Sequence, residues 1–141
     1  MARKTRKEKI LEIISNRHMY SCMNNTKWNE LKAGIAQLPF CPPYIMKTVD
    51  GEPPEVPFDE DVWYLGDWGL EIDGCLSSDI YATPFYAIEW IIVRPRYTKH
   101  QGRLLPDKLI DETDLFVKLL EQCNIPYHEE NGSYVIYGYQ I

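Results

Sequence analysis

The chain has 141 residues and a formal net charge of −6, and 45% of its residues are hydrophobic. This length suits a single domain with its own core, and the hydrophobic content excludes a disordered chain. No apolar run approaches the roughly 18 residues of a membrane span, and no apolar signal core follows the basic start, so we expect a cytoplasmic protein.

Two helices are predicted at the start of the chain. The first is predicted over residues 5–20, with a strongly basic first turn followed by an amphipathic pattern over Ile10–Arg17. Asn24 is a candidate helix cap, and apolar residues at helical spacing follow it from Trp28 to Leu38. Prolines then end the second helix.

After the second helix, the apolar pattern changes to that of strands. Short strands are predicted at residues 44–49, 62–65, 70–72 and 86–93. The last is the strongest, and its alternation places four side chains on one face. These are Tyr86, Ile88, Trp90 and Ile92.

The C-terminal third is predicted to contain a basic loop, a helix and a hairpin. The loop covers residues 94–106, the helix covers residues 107–124, and Asn131-Gly132 is a strong hairpin signal within residues 127–139. Together these elements predict an α+β fold. We expect a mostly antiparallel sheet of about five to six strands. Two N-terminal helices and one helix before a C-terminal β-hairpin would pack on one face of this sheet.

Residues 48–93, which we call the acidic block, contain eleven Asp or Glu residues and no Lys, Arg or His. One interpretation is a solvated surface that favours solubility; the other is a docking face for a basic protein partner. Carboxylates beside tryptophans suit the second interpretation, because aromatic side chains often anchor interfaces. The candidate partner-binding residues are Asp59, Glu60, Asp61, Trp63, Asp67 and Trp68.

Basic residues flank the acidic block on both sides. They cluster in residues 3–9 and 94–103, where they could in principle hold nucleic-acid phosphates. The acidic total and the lack of a recognised motif disfavour nucleic-acid binding. We expect these segments to balance the acidic block within the fold or across a homodimer.

The sequence contains no catalytic signature. The alternative to a binding module is a small hydrolase or transferase that uses carboxylates of residues 71–89, with Glu71, Asp73, Asp79 and Glu89 as candidates. The four cysteines include no Cys-x-x-Cys pair and are expected to be reduced thiols. We therefore expect no metal and no cofactor.

Three segments resemble a family of small uncharacterised bacterial proteins. They are Met23-Asn-Asn-Thr-Lys-Trp28, Ala87-Ile-Glu-Trp90, and Ile125-Pro126 followed by Val135-Ile-Tyr-Gly-Tyr139. The resemblance implies a small cytosolic bacterial α+β protein, and no activity or site residue comes with it. Charge and aromatic content then favour a non-enzymatic protein-binding module, with a toxin-neutralising immunity protein as its most concrete form.

The same resemblance bears on the N-terminus. Similar proteins often begin near the position of Met23, so residues 1–22 are interpreted as an added basic arm or as the product of an upstream start codon. The amphipathic pattern favours a real helix. Residues 23–141 would then form the single α+β domain, and we expect a chain that starts at Met23 to fold alone.

Overall fold

The computed structural model describes residues 3–55, 58–68 and 83–141. These ranges contain three α-helices, one short 3-10 helix and eight strands. The helices are α1 (Arg6–Asn16), α2 (Asn25–Ala36), the 3-10 helix (Phe85–Ala87) and α3 (Thr113–Gln122). The strands are β1 (Tyr20–Ser21), β2 (Tyr44–Thr48), β3 (Ile88–Val93), β4 (Arg96–Lys99), β5 (Lys108–Asp111), β6 (His128–Glu130), β7 (Ser133–Tyr137) and β8 (Tyr139–Gln140).

The strands form three antiparallel sheets, so the predicted α+β class is confirmed. The main sheet has the order β2-β3-β7-β6, and two small sheets pair β1 with β8 and β4 with β5. The strand count exceeds the predicted five to six. Strands of two residues, such as β1 and β8, are too short for alternation to reveal them. The strand predicted at residues 70–72 lies outside the described residues.

The main core lies between one face of the four-stranded sheet and helices α2 and α3. Trp28, at the start of α2, stacks on Phe85 with ring centroids 5.9 Å apart. Each fully buried aliphatic or aromatic side chain contributes about 1.5–3 kcal/mol through removal from water. Other core members are Met23, Leu31, Ile35, Tyr44, Trp68, Ile88, Ile91, Val93, Phe116, Leu120, Ile125, Tyr134 and Ile136.

Strand β3 contains a bulge at Glu89, which corrects the predicted alternation. Lys47 of β2 pairs with Trp90, but the next residue, Thr48, pairs with Ile88, so Glu89 is the extra residue. The bulge resets the side-chain alternation, and Ile88 therefore joins the main core instead of the opposite face. Residues 85–87 form the 3-10 helix rather than the start of the strand.

The predicted basic loop and the start of the third helix are corrected as well. Arg96–Lys99 and Lys108–Asp111 pair as antiparallel strands, and α3 begins only at Thr113. The carboxylate of Asp111 accepts a hydrogen bond from the Thr113 backbone N–H at 3.0 Å. This bond satisfies a donor that the first turn of a helix leaves free, and it marks where the helix starts.

The predicted C-terminal hairpin is confirmed. Strands β6 and β7 are joined by Asn131 and Gly132, which have φ values of 52° and 80°. Positive φ at both positions is the geometry of a two-residue type I′ turn, which Asn-Gly favours. Glu129 supports the turn by accepting a hydrogen bond from the Gly132 N–H at 3.0 Å.

Helix α1 packs against the 3-10 helix and the end of β2 through a second, smaller hydrophobic cluster. Ile10 is fully buried there with Val49 and Ala87. The basic first turn is balanced by the acidic block, because Arg6 donates two hydrogen bonds to Asp50, at 3.0 and 3.2 Å. The Thr5 side chain caps the first turn by accepting a hydrogen bond from the Glu8 N–H.

A chain that starts at Met23 stays our test of whether residues 1–22 are dispensable. It would lose α1 and β1 but keep every residue of the main core. We expect a cooperative thermal melt with a lower midpoint, because burial of a residue such as Ile10 contributes about 1.5–3 kcal/mol. Circular dichroism of the full and shortened chains measures this, and a non-cooperative or insoluble shortened chain would show that α1 is required.

Candidate functional site

Residues 58–68, which we call the central segment, carry five of the six predicted partner-binding residues in exposed or half-buried positions. The segment runs beside β4, where Val62 forms a parallel bridge with Tyr97 and accepts a hydrogen bond from the Thr98 N–H at 2.7 Å. The strand predicted at residues 62–65 is thus reduced to one bridging residue. Residues 63–65, which follow Val62, do not pair with a strand.

Asp61 fastens the central segment to the main sheet. Its Oδ1 accepts hydrogen bonds from Nε of Arg94 and Nε of Arg96, both at 2.7 Å, and its Oδ2 accepts a third from Arg96 at 3.0 Å. Burial alone would raise the pKa of Asp61, but the hydrogen bonds from Arg96 and Arg94 outweigh it and hold the pKa below its usual value. The predicted role of Asp61 in docking is therefore joined by a structural role.

Arg94 extends this connection into the sheet. The residue is 5% exposed, and its Nη1 donates to the backbone O of Asn131 at 2.7 Å and to Oγ of Ser133 at 3.1 Å. Ser133 in turn donates to the backbone O of Phe58. The β6–β7 turn and the start of the central segment are held together by one buried guanidinium.

Trp63 is the most exposed aromatic residue of the central segment. Its exposed fraction is 80%, and its ring stands edge-on to Tyr64 with centroids 5.8 Å apart. Tyr64 and Leu65 are exposed too, which makes a short apolar surface. The prediction named only Trp63 here, because residues 63–65 read as part of a half-buried strand.

The predicted carboxylates flank this apolar surface along the chain. Asp59, Glu60 and Asp67 are all exposed. Carboxylates in water keep their long-range field, which acts on a charged partner before contact. The central segment thus combines exposed negative charge with exposed aromatic rings.

Trp68 does not belong to this surface, and its predicted role as an exposed anchor is corrected. It is 3% exposed, its indole N–H donates to the backbone O of Pro42 at 2.8 Å, and its ring packs on Tyr44. The close approach depends on Gly66, where an added Cβ would lie 2.2 Å from that same Pro42 oxygen. Sequence spacing could not show this contact, because Pro42 and Trp68 are distant in the chain.

Glu89, from the alternative catalytic prediction, is held by two cations. Nζ of Lys47 and Nη1 of Arg17 both donate to its Oε1 at 2.8 Å. Glu89 lies beside an open groove of about 370 Å³ that is also lined by Tyr137 and Tyr139. Among the described residues that line this groove there is no second Asp or Glu.

The other carboxylates of the catalytic alternative, Glu71, Asp73 and Asp79, lie outside the described residues. A hydrolase or transferase function for residues 71–89 therefore stays a prediction. The hydrogen bonds of Glu89 link the residue after α1 to the bulge of β3. This structural role explains the cluster of Glu89 with its two cations without a catalytic one.

Basic residues balance part of the acidic block inside the fold, and Arg6, Arg94 and Arg96 of the flanking basic segments take part, as expected. Asp50, Asp61 and Glu89 each bond to arginine or lysine side chains from outside the block. These cations come from α1 and the residue after it, from β2, and from the β3–β4 connection and the start of β4. Among the other described carboxylates of the block, those that face solvent are Glu52, Glu55, Asp59, Glu60 and Asp67.

The described residues contain neither a cluster of metal-ligating side chains nor a membrane-spanning helix. Within residues 3–55, 58–68 and 83–141, no three His, Cys, Asp or Glu side chains are grouped as a metal site would require. The described cysteines, Cys22, Cys41 and Cys123, are free and half-buried. None of the described helices is long and apolar enough to cross a membrane.

Comparison with known proteins identifies the family. No curated protein and no solved structure matches this chain. A family model, described as a family of unknown function (DUF6678), matches residues 10–141. The resemblance to an uncharacterised family is thereby confirmed, and the match includes most of α1. The chain belongs to the family of unknown function DUF6678.

Proposed function

We propose that this protein is a non-enzymatic binding module that docks a basic protein partner through its central segment. The observation that carries the proposal is the 80% exposure of Trp63 on a segment that is fixed in place by Asp61. Burial of a large aromatic ring away from water is strongly favourable, and such rings are usually buried in the core of their own chain. Here the ring is held in solvent, beside exposed carboxylates.

The fixed position of the segment supports tight binding. A partner that buries a mobile loop must offset the entropy of ordering it, whereas a preorganised surface avoids that cost. The hydrogen bonds of Asp61 to Arg94 and Arg96 supply this order before any partner arrives. The aromatic pair of Trp63 and Tyr64 has few rotatable bonds, which lowers the cost further.

The exposed carboxylates support a basic partner over a neutral one. Complementary charge raises the rate of association and disfavours acidic competitors. The most concrete form of the proposal is a cytoplasmic bacterial immunity protein that covers the basic surface of a nuclease toxin. Docking between two copies of this chain is the competing outcome, and the matching charge of both surfaces disfavours it.

Affinity capture with the full chain as bait tests the proposal. We expect basic proteins to be enriched, and Trp63→Ala to reduce the captured amount at least tenfold, since loss of an anchor residue costs about 2 kcal/mol or more. Leu11→Ala, at an exposed apolar residue of α1, is the matched control. Equal capture by the Trp63→Ala chain would refute the proposal.

Binding kinetics with a captured partner test the role of charge. Asp59→Lys combined with Glu60→Lys should slow association and weaken its dependence on salt, because both residues act through their long-range field. Asp61 is left unchanged since it is needed for the fold. Asp114→Lys with Glu121→Lys, two exposed positions on α3, controls for net charge, and equal effects of the two pairs would contradict the assignment.

A further inference from the structure

A pocket of about 160 Å³ lies next to the central segment, between Phe58 and the outer face of the main sheet. Its floor is formed by Ile92 and Val135, which are paired neighbours on β3 and β7. The adjacent pair, Ile91 and Ile136, points into the main core. Alternation along the strands therefore directs the floor residues to the face away from α2 and α3.

The rim of the pocket is acidic. Asp59 and Glu130 line it, and both are exposed. Glu60, the sequence neighbour of Asp59, is an exposed carboxylate as well. The pocket thus joins an apolar floor to a negative rim, which is an amphipathic lining.

The walls of the pocket are held by the hydrogen bonds of Arg94. This side chain joins Asn131 and Ser133 to Asp61, and Ser133 is bonded to Phe58. Each side of the pocket is therefore tied to the other through buried polar contacts. A ligand would meet a preformed site and would not have to order it.

We propose that this pocket accepts a lysine or arginine side chain of the basic partner. The methylene stem would lie on Ile92 and Val135, and the cationic end would face Asp59 and Glu130. Lysine and arginine side chains commonly bury the stem on apolar surface while the charge stays in a polar setting. This inference rests on the proposed function, and it adds a second point of contact beside Trp63.

The pocket's charges disfavour other ligands. An anion would meet the rim carboxylates, and the guanidinium of Arg94 is buried, where it donates three hydrogen bonds to Asp61, Asn131 and Ser133. A neutral apolar side chain would fill the floor but leave the rim without a partner. A long cationic side chain satisfies both parts.

Blocked amino acids test the pocket without the partner. We expect N-acetyl-lysine amide and N-acetyl-arginine amide to shift the backbone NMR signals of Asp59, Ser133 and Val135, with dissociation constants on the order of 1–10 mM. N-acetyl-norleucine amide has the stem of lysine without its charge and should bind at least fivefold more weakly. Equal binding of the norleucine probe, or an absence of shifts at these residues, would overturn the proposal.

Charge-neutralising variants locate the effect. Asp59→Asn combined with Glu130→Gln should weaken binding of both cationic probes at least fivefold. Asp114→Asn combined with Glu121→Gln removes the same charge from α3 and should leave binding unchanged. Equal weakening by the two pairs would show a general attraction to an acidic protein and would overturn the pocket assignment.

Trp63→Ala separates this proposal from the proposed function. The variant should lose the partner in capture experiments yet bind the cationic probes like the unchanged chain. Capture that does not depend on Trp63 refutes the docking role of the central segment, whereas probe titration alone decides the pocket. Loss of probe binding in the Trp63→Ala chain would overturn the assignment to the Ile92–Val135 floor.

Discussion

Arg94→Met is expected to lower the free energy of unfolding by about 3 kcal/mol, since removal of one partner from a buried ion pair costs about 3–5 kcal/mol and Arg96 still pairs with Asp61. The variant leaves the backbone O of Asn131 and the hydroxyl of Ser133 without their buried donor. Methionine conserves the length and the apolar stem of arginine, so the loss reports the polar contacts. Urea denaturation of both chains measures the difference.

Two further substitutions control this prediction. Arg94→Lys keeps the charge but lacks the fork that reaches three partners, so we expect an intermediate loss. Arg103→Met removes an exposed arginine of the β4–β5 loop and should change stability by about 0.5 kcal/mol or less. A loss from Arg94→Met no larger than that from Arg103→Met would contradict the structural role of Arg94.

At acid pH, the free energies of unfolding of the Arg94→Met chain and the unchanged chain should differ less. The pKa of Asp61 is lowered in the folded protein, so its contribution is present above the ordinary aspartate value of about 3.9 and is lost as pH falls through the folded value. Arg94→Met removes part of that lowering. We therefore expect the gap in unfolding free energy to shrink below about pH 4, and a gap that widens there would argue against the Asp61 contact.

Gly138→Ala is expected to destabilise the protein by about 3 kcal/mol, at the upper end of the usual cost of overpacking a core. An added Cβ would lie 2.1 Å from the backbone O of Ile88, and a backbone atom cannot swing aside as a side chain does. Gly138 also donates its N–H to the O of Glu89 at 2.8 Å, so a shift would disturb the bulge of β3. Thermal melts monitored by circular dichroism measure the loss.

Gly102→Ala provides the comparison for this steric effect. Gly102 has a φ of 125° and no neighbouring atom within 4 Å of an added Cβ. Its substitution carries only a conformational cost, about 1 kcal/mol. If the two variants lose equal stability, the contact between Gly138 and Ile88 is not the cause.

Elements with strong local signals were predicted from the sequence correctly. Asn24 caps α2 by accepting a hydrogen bond from the Lys27 N–H at 2.8 Å, and Asn131-Gly132 forms the expected hairpin turn. Both features depend on residues within a few positions of one another. The predicted helix over residues 107–124 was wrong over residues 107–112, because the pairing of β5 with β4 is a contact between separated segments.

The candidate site was predicted only in part, again because some of its contacts join residues that are distant in the chain. Asp59, Glu60, Asp67 and Trp63 are exposed as a surface for docking requires, and the sequence indicated them by charge and aromatic content. Trp68 has the same composition around it, yet its ring is buried by contact with Pro42 and Tyr44. Composition cannot distinguish a buried tryptophan from an exposed one.

The sequence by itself determined the α+β class, the helical and hairpin segments with local caps and turns, and the existence of the acidic block. Only the tertiary structure decided which of its charges are balanced inside the fold. Asp61 meets Arg94 and Arg96, more than 30 positions away, because strand pairing brings the segments together. Within the described part of the acidic block, chain folding thus separates carboxylates held in ion pairs from exposed carboxylates that include those near Trp63 in the chain.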